Sequence, residues 1–391
     1  MISVRIMPAR TQPKLVSVFL LIRSLVLGGA QRQLVELARG LRQRGHQVTV
    51  ATFYSGGPLA GDLEQAGISV VDLQKGGRWD TLGFLQRLRR AIRDARPDLV
   101  YSFVGGANIF AAAVRPFIPG TKLVWSILSS DMDLTQYDWA HRFGDTLERR
   151  LARFADLIIS NSQAGLEFAA ERGFPRERIA VVPNGIDVQR FRPDASMRQS
   201  QRVEWDLEDQ EIAVGMLARL DAMKGYPDFL EAAAQVAKFR RDVKFICIGD
   251  GAEEQGLKAL ADELGIADRV LFPGPTHDPV AALNGLDVFC SASITEGFSN
   301  SIAEAMACGL RCVVTDAGDS AIIVDGCGLV VSRSRPDLLA DAILEQMGSL
   351  GAGEVSEGRA RIVEEFPIAA MVDRTVALFE QVVGRADRLP H

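Results

Sequence analysis

The sequence predicts an α/β protein of two doubly wound domains, each built on a parallel sheet. Three observations carry that prediction. The chain has 391 residues, 47% hydrophobic and 24% charged, which is enough apolar material for two cores. Short apolar runs alternate with helical patterns in two separate series. The runs are apolar on both alternating sets of positions, as strands are when helices cover both faces of their sheet.

The first series begins at Leu15. Its strands are LVSVFLLI, QVTVATF, ISVVDL, DLVYSFV, KLVWSIL, ADLIISNS and IAVVPNGID, with helices predicted over 30–44, near Leu63, over 82–96 and over 163–172. The N-terminal stretch before and through the first run imitates a secretory signal, but Arg23 interrupts the apolar segment and no small-x-small cleavage site follows. It is read as the first buried strand. No later run is long enough to span a bilayer, so a cytoplasmic location is expected, with a peripheral contact on the inner face of the membrane.

Asn184-Gly185 is a turn signal, and residues 188–210 are charged and weakly periodic, which reads as the linker. The second series follows with strands EIAVGMLARL, VKFICIGDG, RVLFPG, LDVFCSAS, RCVVT and GCGLVV, and helices over 226–239, 252–264, 280–283, 300–308 and 336–347. The expected domains are therefore 1–184 and 185–367, with a last helix in 368–391 crossing back to the first. Two such sheets joined by one linker make a cleft that suits a ligand.

Charge is divided unevenly. Residues 1–182 hold 24 Lys+Arg against 16 Asp+Glu, and residues 183–391 hold 20 against 34, so the halves carry +8 and −14. A nucleic-acid partner for the whole chain is excluded by that balance, while a basic face on the first half suits an anionic surface. The helix LQRLRRAIRDAR supplies Arg87, Arg89, Arg90 and Arg93 for a membrane contact, or simply a solvated face. All five cysteines lie in the second half among small or apolar neighbours and are read as reduced core thiols. The four histidines make no ligand-spaced pair with them, so no structural metal is expected.

The chemistry concentrates in residues 293–315, SITEGFSNSIAEAMACGLRCVVT. A loop, GFSN, lies between Glu296 and Glu304 and leads into a helix whose N-terminus favours an anion, since its first N–H groups are unpaired and its dipole is positive there. A second reading of Glu304 is a capping box, with Ser301 as N-cap. Arg219 and Lys224, at the end of a strand and the start of a helix, form a candidate diphosphate clamp. Gly28-Gly29 follows the first strand and is either an anion-binding turn or a tight turn alone. GDGAEE is only a partial dinucleotide fingerprint and does not support NAD. Asp131-Met132-Asp133 resembles a metal-holding DxD, a pattern common in loops.

In order along the chain, GGAQRQ, SNSQAG, VPNGID with Phe191, the Arg219/Lys224 pair, GDGAEE, VLFPG and EGFSNSIAEAMACG resemble the motifs of retaining glycosyltransferases of family 4, of the bacterial polysaccharide and glycolipid biosynthesis type. The resemblance runs from about Leu15 to about Val383 and ends in the family's E-x7-E signature. It implies a GT-B fold of two facing Rossmann-like domains. It also implies metal-independent transfer of a sugar from a nucleotide-diphosphate sugar, a UDP- or GDP-sugar, to a glycan or lipid-linked acceptor, with no cofactor.

Carried over by position, Arg219, Lys224 and Gly29 match the diphosphate-binding residues, Glu296 the glutamate beside the donor sugar, and Glu304 the ribose-binding glutamate. Phe298, Ser299 and Asn300 match the loop whose N–H groups reach sugar and phosphate, and Gly274 falls beside the nucleobase pocket. Many relatives carry a histidine after the fourth strand, where this chain has SFVGG with Phe103; Asn108 and Ser130, in the weakly patterned 104–140 stretch, are the acceptor-side candidates in its place. Arg311 stands where relatives often have proline. Two rivals share the architecture: a nucleotide-sugar epimerase and a non-catalytic nucleotide-sugar-binding protein.

Overall fold

The computed structural model describes residues 15–77, 79–128, 139–350 and 356–384. The elements run in chain order as β1 (Ser17–Ile22), α1 (Gly29–Gln43), β2 (Gln47–Thr52), α2 (Ala60–Gln65), β3 (Ser69–Asp72), α3 (Leu82–Ala95), β4 (Leu99–Phe103), α4 (Gly106–Val114), β5 (Lys122–Ile127), α5 (Trp139–Leu151), β6 (Leu157–Ser160), α6 (Gln163–Glu171) and β7 (Ile179–Val181). There follow α7 (Ala195–Glu204), β8 (Ile212–Leu217), α8 (Tyr226–Phe239), β9 (Val243–Ile248), α9 (Glu254–Glu263), β10 (Val270–Gly274), α10 (Pro279–Asn284) and β11 (Val288–Ser291). The chain continues with α11 (Asn300–Ala307), β12 (Arg311–Thr315), α12 (Ser320–Val324), β13 (Leu329–Val331), α13 (Pro336–Gly348), α14 (Ser356–Glu365) and α15 (Ile368–Gly384).

The strands form two sheets, one ordered β3-β2-β1-β4-β5-β6-β7 and the other β10-β9-β8-β11-β12-β13. The β1–β2, β1–β4, β8–β9, β8–β11 and β11–β12 pairs are all parallel, as strands covered on both faces lead one to expect. The chain divides into two compact units, one of residues 1–125, 151–157 and 372–391, the other of 126–150 and 158–371.

Burial explains why the runs could be read. Phe19, Leu20 and Leu21 on β1 are all fully buried, so both faces of that strand are covered. In β9 the alternation is explicit: Phe245 and Cys247 join one core cluster, with Phe229 and Ile343, while Ile246 and Ile248 join another, with Phe289 and Ile302. Burial also pushes the Cys308 thiol up to about 12 and raises those of Cys247, Cys290 and Cys312 further, so they stay protonated.

Two expectations about the join between the series are corrected. Residues 188–210 are not a featureless linker but contain α7, whose Arg198 and Arg202 pair with Asp287 at 2.6 and 3.1 Å. Arg198 also donates to the Leu286 carbonyl and Arg202 to those of Glu208 and Glu211. Its polar residues are structural partners, which is why the stretch lacks an apolar stripe. Gly185 is not there for turn geometry either. Ile186 pairs with Pro367, and a Cβ on Gly185 would sit 2.7 Å from the Ile368 Cα, so glycine is required by close chain approach.

Candidate active site

In a doubly wound sheet a ligand sits beyond the carboxyl ends of the strands, where the strand order reverses. In the second sheet that point lies between β8 and β11. The loops leaving these strands, 218–225 and 292–299, carry Arg219, Lys224 and Glu296. Topology therefore brings together residues that lie more than seventy positions apart in the chain.

Backbone contacts zip these loops to each other and to the loop after β9. Ala218 N–H donates to Ile248 O, Leu220 N–H to Asp250 O at 2.8 Å, and Ile294 N–H to Met223 O at 2.9 Å. Glycine permits the approach: a Cβ on Gly249 would lie 1.9 Å from Ala218 O, and one on Gly225, at φ +66°, 2.0 Å from Ala292 O. The GDG run thus serves packing under the Arg219 loop. Tyr226, fully buried, donates its hydroxyl to Ala218 O at 3.0 Å, and burial raises its pKa far above the usual phenol value.

On this base Lys224 Nζ donates to Glu296 Oε1 at 2.7 Å, and both side chains are largely shielded, at 21% and 11% exposed. Ser293 Oγ donates to the same oxygen at 2.8 Å. Arg219 is 77% exposed and pairs with Asp221 at 2.7 Å, so its guanidinium stands open to solvent. The GFSN loop then enters α11, whose N-cap is Ser299 and whose first turn holds no acidic residue. The capping-box reading is corrected here: Ser301 lies inside the helix, and Glu304 is buried one turn further in. The Phe298 ring is buried and packs on Phe366, 5.4 Å between centroids. Asn300 Oδ1 accepts from Asn184 Nδ2 at 2.9 Å.

The GFSN loop is held from behind by residues that the sequence did not single out. Asp319 N–H donates to Gly297 O at 3.0 Å, while its carboxylate accepts from the Gln163 and Ala164 amides of α6 at 2.7 and 2.8 Å. Burial raises the Asp319 pKa, against the pull of those two amides. Gly318 adopts φ +56°, and a Cβ there would lie 2.2 Å from Glu296 O. The only sequence signal for this support was a polar, glycine-containing DAGDS directly after an apolar strand. Gly274 closes β10 at φ +82°, with its carbonyl accepting from Gly249 N–H and open space where a Cβ would be.

In the first sheet the order reverses between β1 and β4. Gly29 opens α1 after β1, behind Gly28 in extended backbone. After β4, Val104 adopts φ +69°, a strained conformation for a β-branched residue and a mark of functional loops. Phe103 is buried against Tyr101, 4.5 Å between centroids, so no polar group replaces the histidine at that position.

Asn108 is fully buried on α4 and its Oδ1 accepts from Ser102 Oγ at 2.6 Å. Arg87, 39% exposed, donates to Leu73 O at 2.7 Å and pairs with Asp80. Ser130, Asp131 and Asp133 lie outside the described residues.

Residues 28–185 match the "Glycosyl transferase 4-like domain" profile and residues 211–348 match "Glycosyl transferases group 1". The chain is 33% identical over 211 residues to a D-inositol 3-phosphate glycosyltransferase of Corynebacterium jeikeium, covering 50% of each. It is 24% identical over 306 residues to an N-acetylgalactosamine-N,N'-diacetylbacillosaminyl-diphospho-undecaprenol 4-alpha-N-acetylgalactosaminyltransferase of Campylobacter jejuni, covering 75% of this chain and 79% of that one. The crystal structure of Anabaena Alr3699/HepE in complex with UDP has the same fold, with TM-score 0.81 and 24% identity, covering 93% of this chain and all of that one. The two Rossmann-like sheets are thus those of a GT-B fold.

Proposed function

We propose that the chain, whose residues 28–185 and 211–348 each match a glycosyltransferase domain, moves a sugar from a nucleotide-diphosphate donor to a hydroxyl of a glycan or lipid-linked acceptor. The reading includes retention of anomeric configuration and no metal requirement. The observation that carries it is the Lys224–Glu296 contact between the loops that leave β8 and β11 at the switch point of the second sheet, with Arg219 exposed on the first of those loops.

The chemistry follows from charge. The bond from the anomeric carbon to the diphosphate oxygen breaks, a bond to the acceptor oxygen forms, and the leaving phosphate takes the acceptor proton. Negative charge grows on the diphosphate, where Arg219, Lys224 and the Ser299 and Asn300 amides stabilise it. Lys224 has three N–H donors and can keep one on Glu296 while turning others to phosphate. Glu296 then binds a donor-sugar hydroxyl and Glu304 the ribose, with Gly274 beside the base. The epimerase reading is an outcome of the same assays, since it alone needs no acceptor.

Peripheral contact with an anionic, inner-face membrane is proposed for Arg89, Arg90 and Arg93. Arg89 stacks over the exposed Phe117 ring at 5.1 Å, and all three arginines are exposed. No helix among the described residues is long and apolar enough to cross a membrane. Charge reversal of the three should abolish pelleting with anionic liposomes; unchanged pelleting would remove this contact.

Thermal denaturation with UDP, GDP, ADP and their sugars tests the donor site. A ligand at a hundred times its Kd adds about 2.7 kcal/mol to stability. One nucleotide class should raise Tm in the wild type and not in Lys224→Ala; no shift with any of them would count against the reading.

A further inference from the structure

Two donors converge on one oxygen of Glu296. Ser293 Oγ and Lys224 Nζ both reach Oε1, at 2.8 and 2.7 Å, while Oε2 has no partner among the described residues. Ser293 is only 2% exposed, and its own backbone is pinned: Thr315 Oγ1, at the end of β12, donates to Ser293 O at 2.6 Å. The serine therefore stands at the anchored start of the loop after β11, whereas Lys224 reaches Glu296 through a long, rotatable stem.

We propose that Ser293 is a positioning residue: its hydroxyl holds Oε1 so that Oε2 faces the donor sugar, and it keeps that hold when the diphosphate draws Lys224 away. This rests on the donor-site reading given above. An ammonium shared between a carboxylate and a diphosphate cannot orient the carboxylate as a fixed hydroxyl does. A neutral donor also leaves the charge on Glu296 intact, so the free oxygen remains a strong acceptor for a sugar hydroxyl. Ser293 touches no substrate and acts only through Glu296.

The test is a double-mutant cycle of Ser293→Ala and Glu296→Ala, read in two ways. Nucleoside diphosphate release is followed from UDP-, GDP- and ADP-glucose. Ser293→Ala should lower kcat about ten-fold or more, with donor KM within three-fold, and should slow the Glu296→Ala enzyme less than two-fold. A serine that only supports the loop would slow both backgrounds equally, and that result, or wild-type kcat in Ser293→Ala, would overturn the proposal. The second readout is urea unfolding of the four proteins without ligand. One hydrogen bond from a hydroxyl to a carboxylate predicts non-additivity of about ten-fold or more in the unfolding constant. Strict additivity would overturn the proposal even if no sugar nucleotide were turned over, an outcome that by itself would count only against the donor-site reading.

Discussion

Replacing Gly318 by alanine perturbs the candidate site without removing any group assigned to substrate. Two costs follow from the structure. At φ +56° an L-residue incurs about 1–2 kcal/mol of backbone strain. The new Cβ would also lie 2.2 Å from Glu296 O and 2.7 Å from Gly297 O, where contacts below 3.0 Å do not occur. Clearing that contact from 2.2 to 3.0 Å displaces the Glu296-Gly297 backbone by about 0.8 Å. A misplacement of about 1 Å costs on the order of 10²-fold in rate. Gly326 is the matched control, with φ +81° and nothing within 4 Å of its added Cβ, so it incurs only the strain. Tm and steady-state nucleoside diphosphate release should be measured for both variants. Gly326→Ala should lose a few degrees of Tm and keep its kcat, while Gly318→Ala should lose about 10²-fold in kcat. Equal kcat in the two would refute the claim that the position of the Glu296 backbone governs catalysis.

Other outcomes follow from the same geometry. Asp319→Asn keeps one acceptor oxygen for two α6 amides and turns an NH₂ towards the other, so unfolding stability should fall by about 1–3 kcal/mol, measured by denaturant titration. His46 is buried and its Nδ1 accepts from Val16 N–H at 3.1 Å. Burial holds its pKa below the ordinary value, with Glu380 pulling it up and Arg44 pushing it down. Because the folded value is below the unfolded one, the contribution is complete above pH about 6.5 and is lost as pH falls towards the folded value. His46→Asn keeps an acceptor for Val16 but cannot titrate, so its Tm should fall less than that of the wild type between pH 7.5 and 5.5; parallel curves would contradict this.

Much of this fold was legible because both faces of its strands are buried. Phe19, Leu20 and Leu21 show it on β1, as do Phe245 and Ile246 on β9. The start of α11 was legible too, since GFSN breaks the apolar pattern just before SIAEAMA. What escaped depends on partners distant in sequence. Arg198 and Arg202 look like solvated charges until Asp287 meets them, and Arg87 looks like surface until it caps the Leu73 carbonyl. Asn108 carries no local mark of its bond to Ser102. Ser293 precedes Glu296 by only three residues, yet its bond depends on loop geometry that no periodicity encodes. The same holds for Asp319, whose partners on α6 lie 156 and 155 residues away.

The most direct measurement is transfer itself, followed with labelled UDP-, GDP- and ADP-sugars, a bacterial lipid and glycan acceptor fraction, and a metal chelator present throughout. Label should pass to the acceptor with release of one nucleoside diphosphate per sugar. Lys224→Ala should reduce the rate by about 10²–10³-fold, the usual loss when one donor to a developing charge is removed. Nucleotide release with a free, altered sugar and no need for acceptor, or transfer that stops on chelation, would contradict the account.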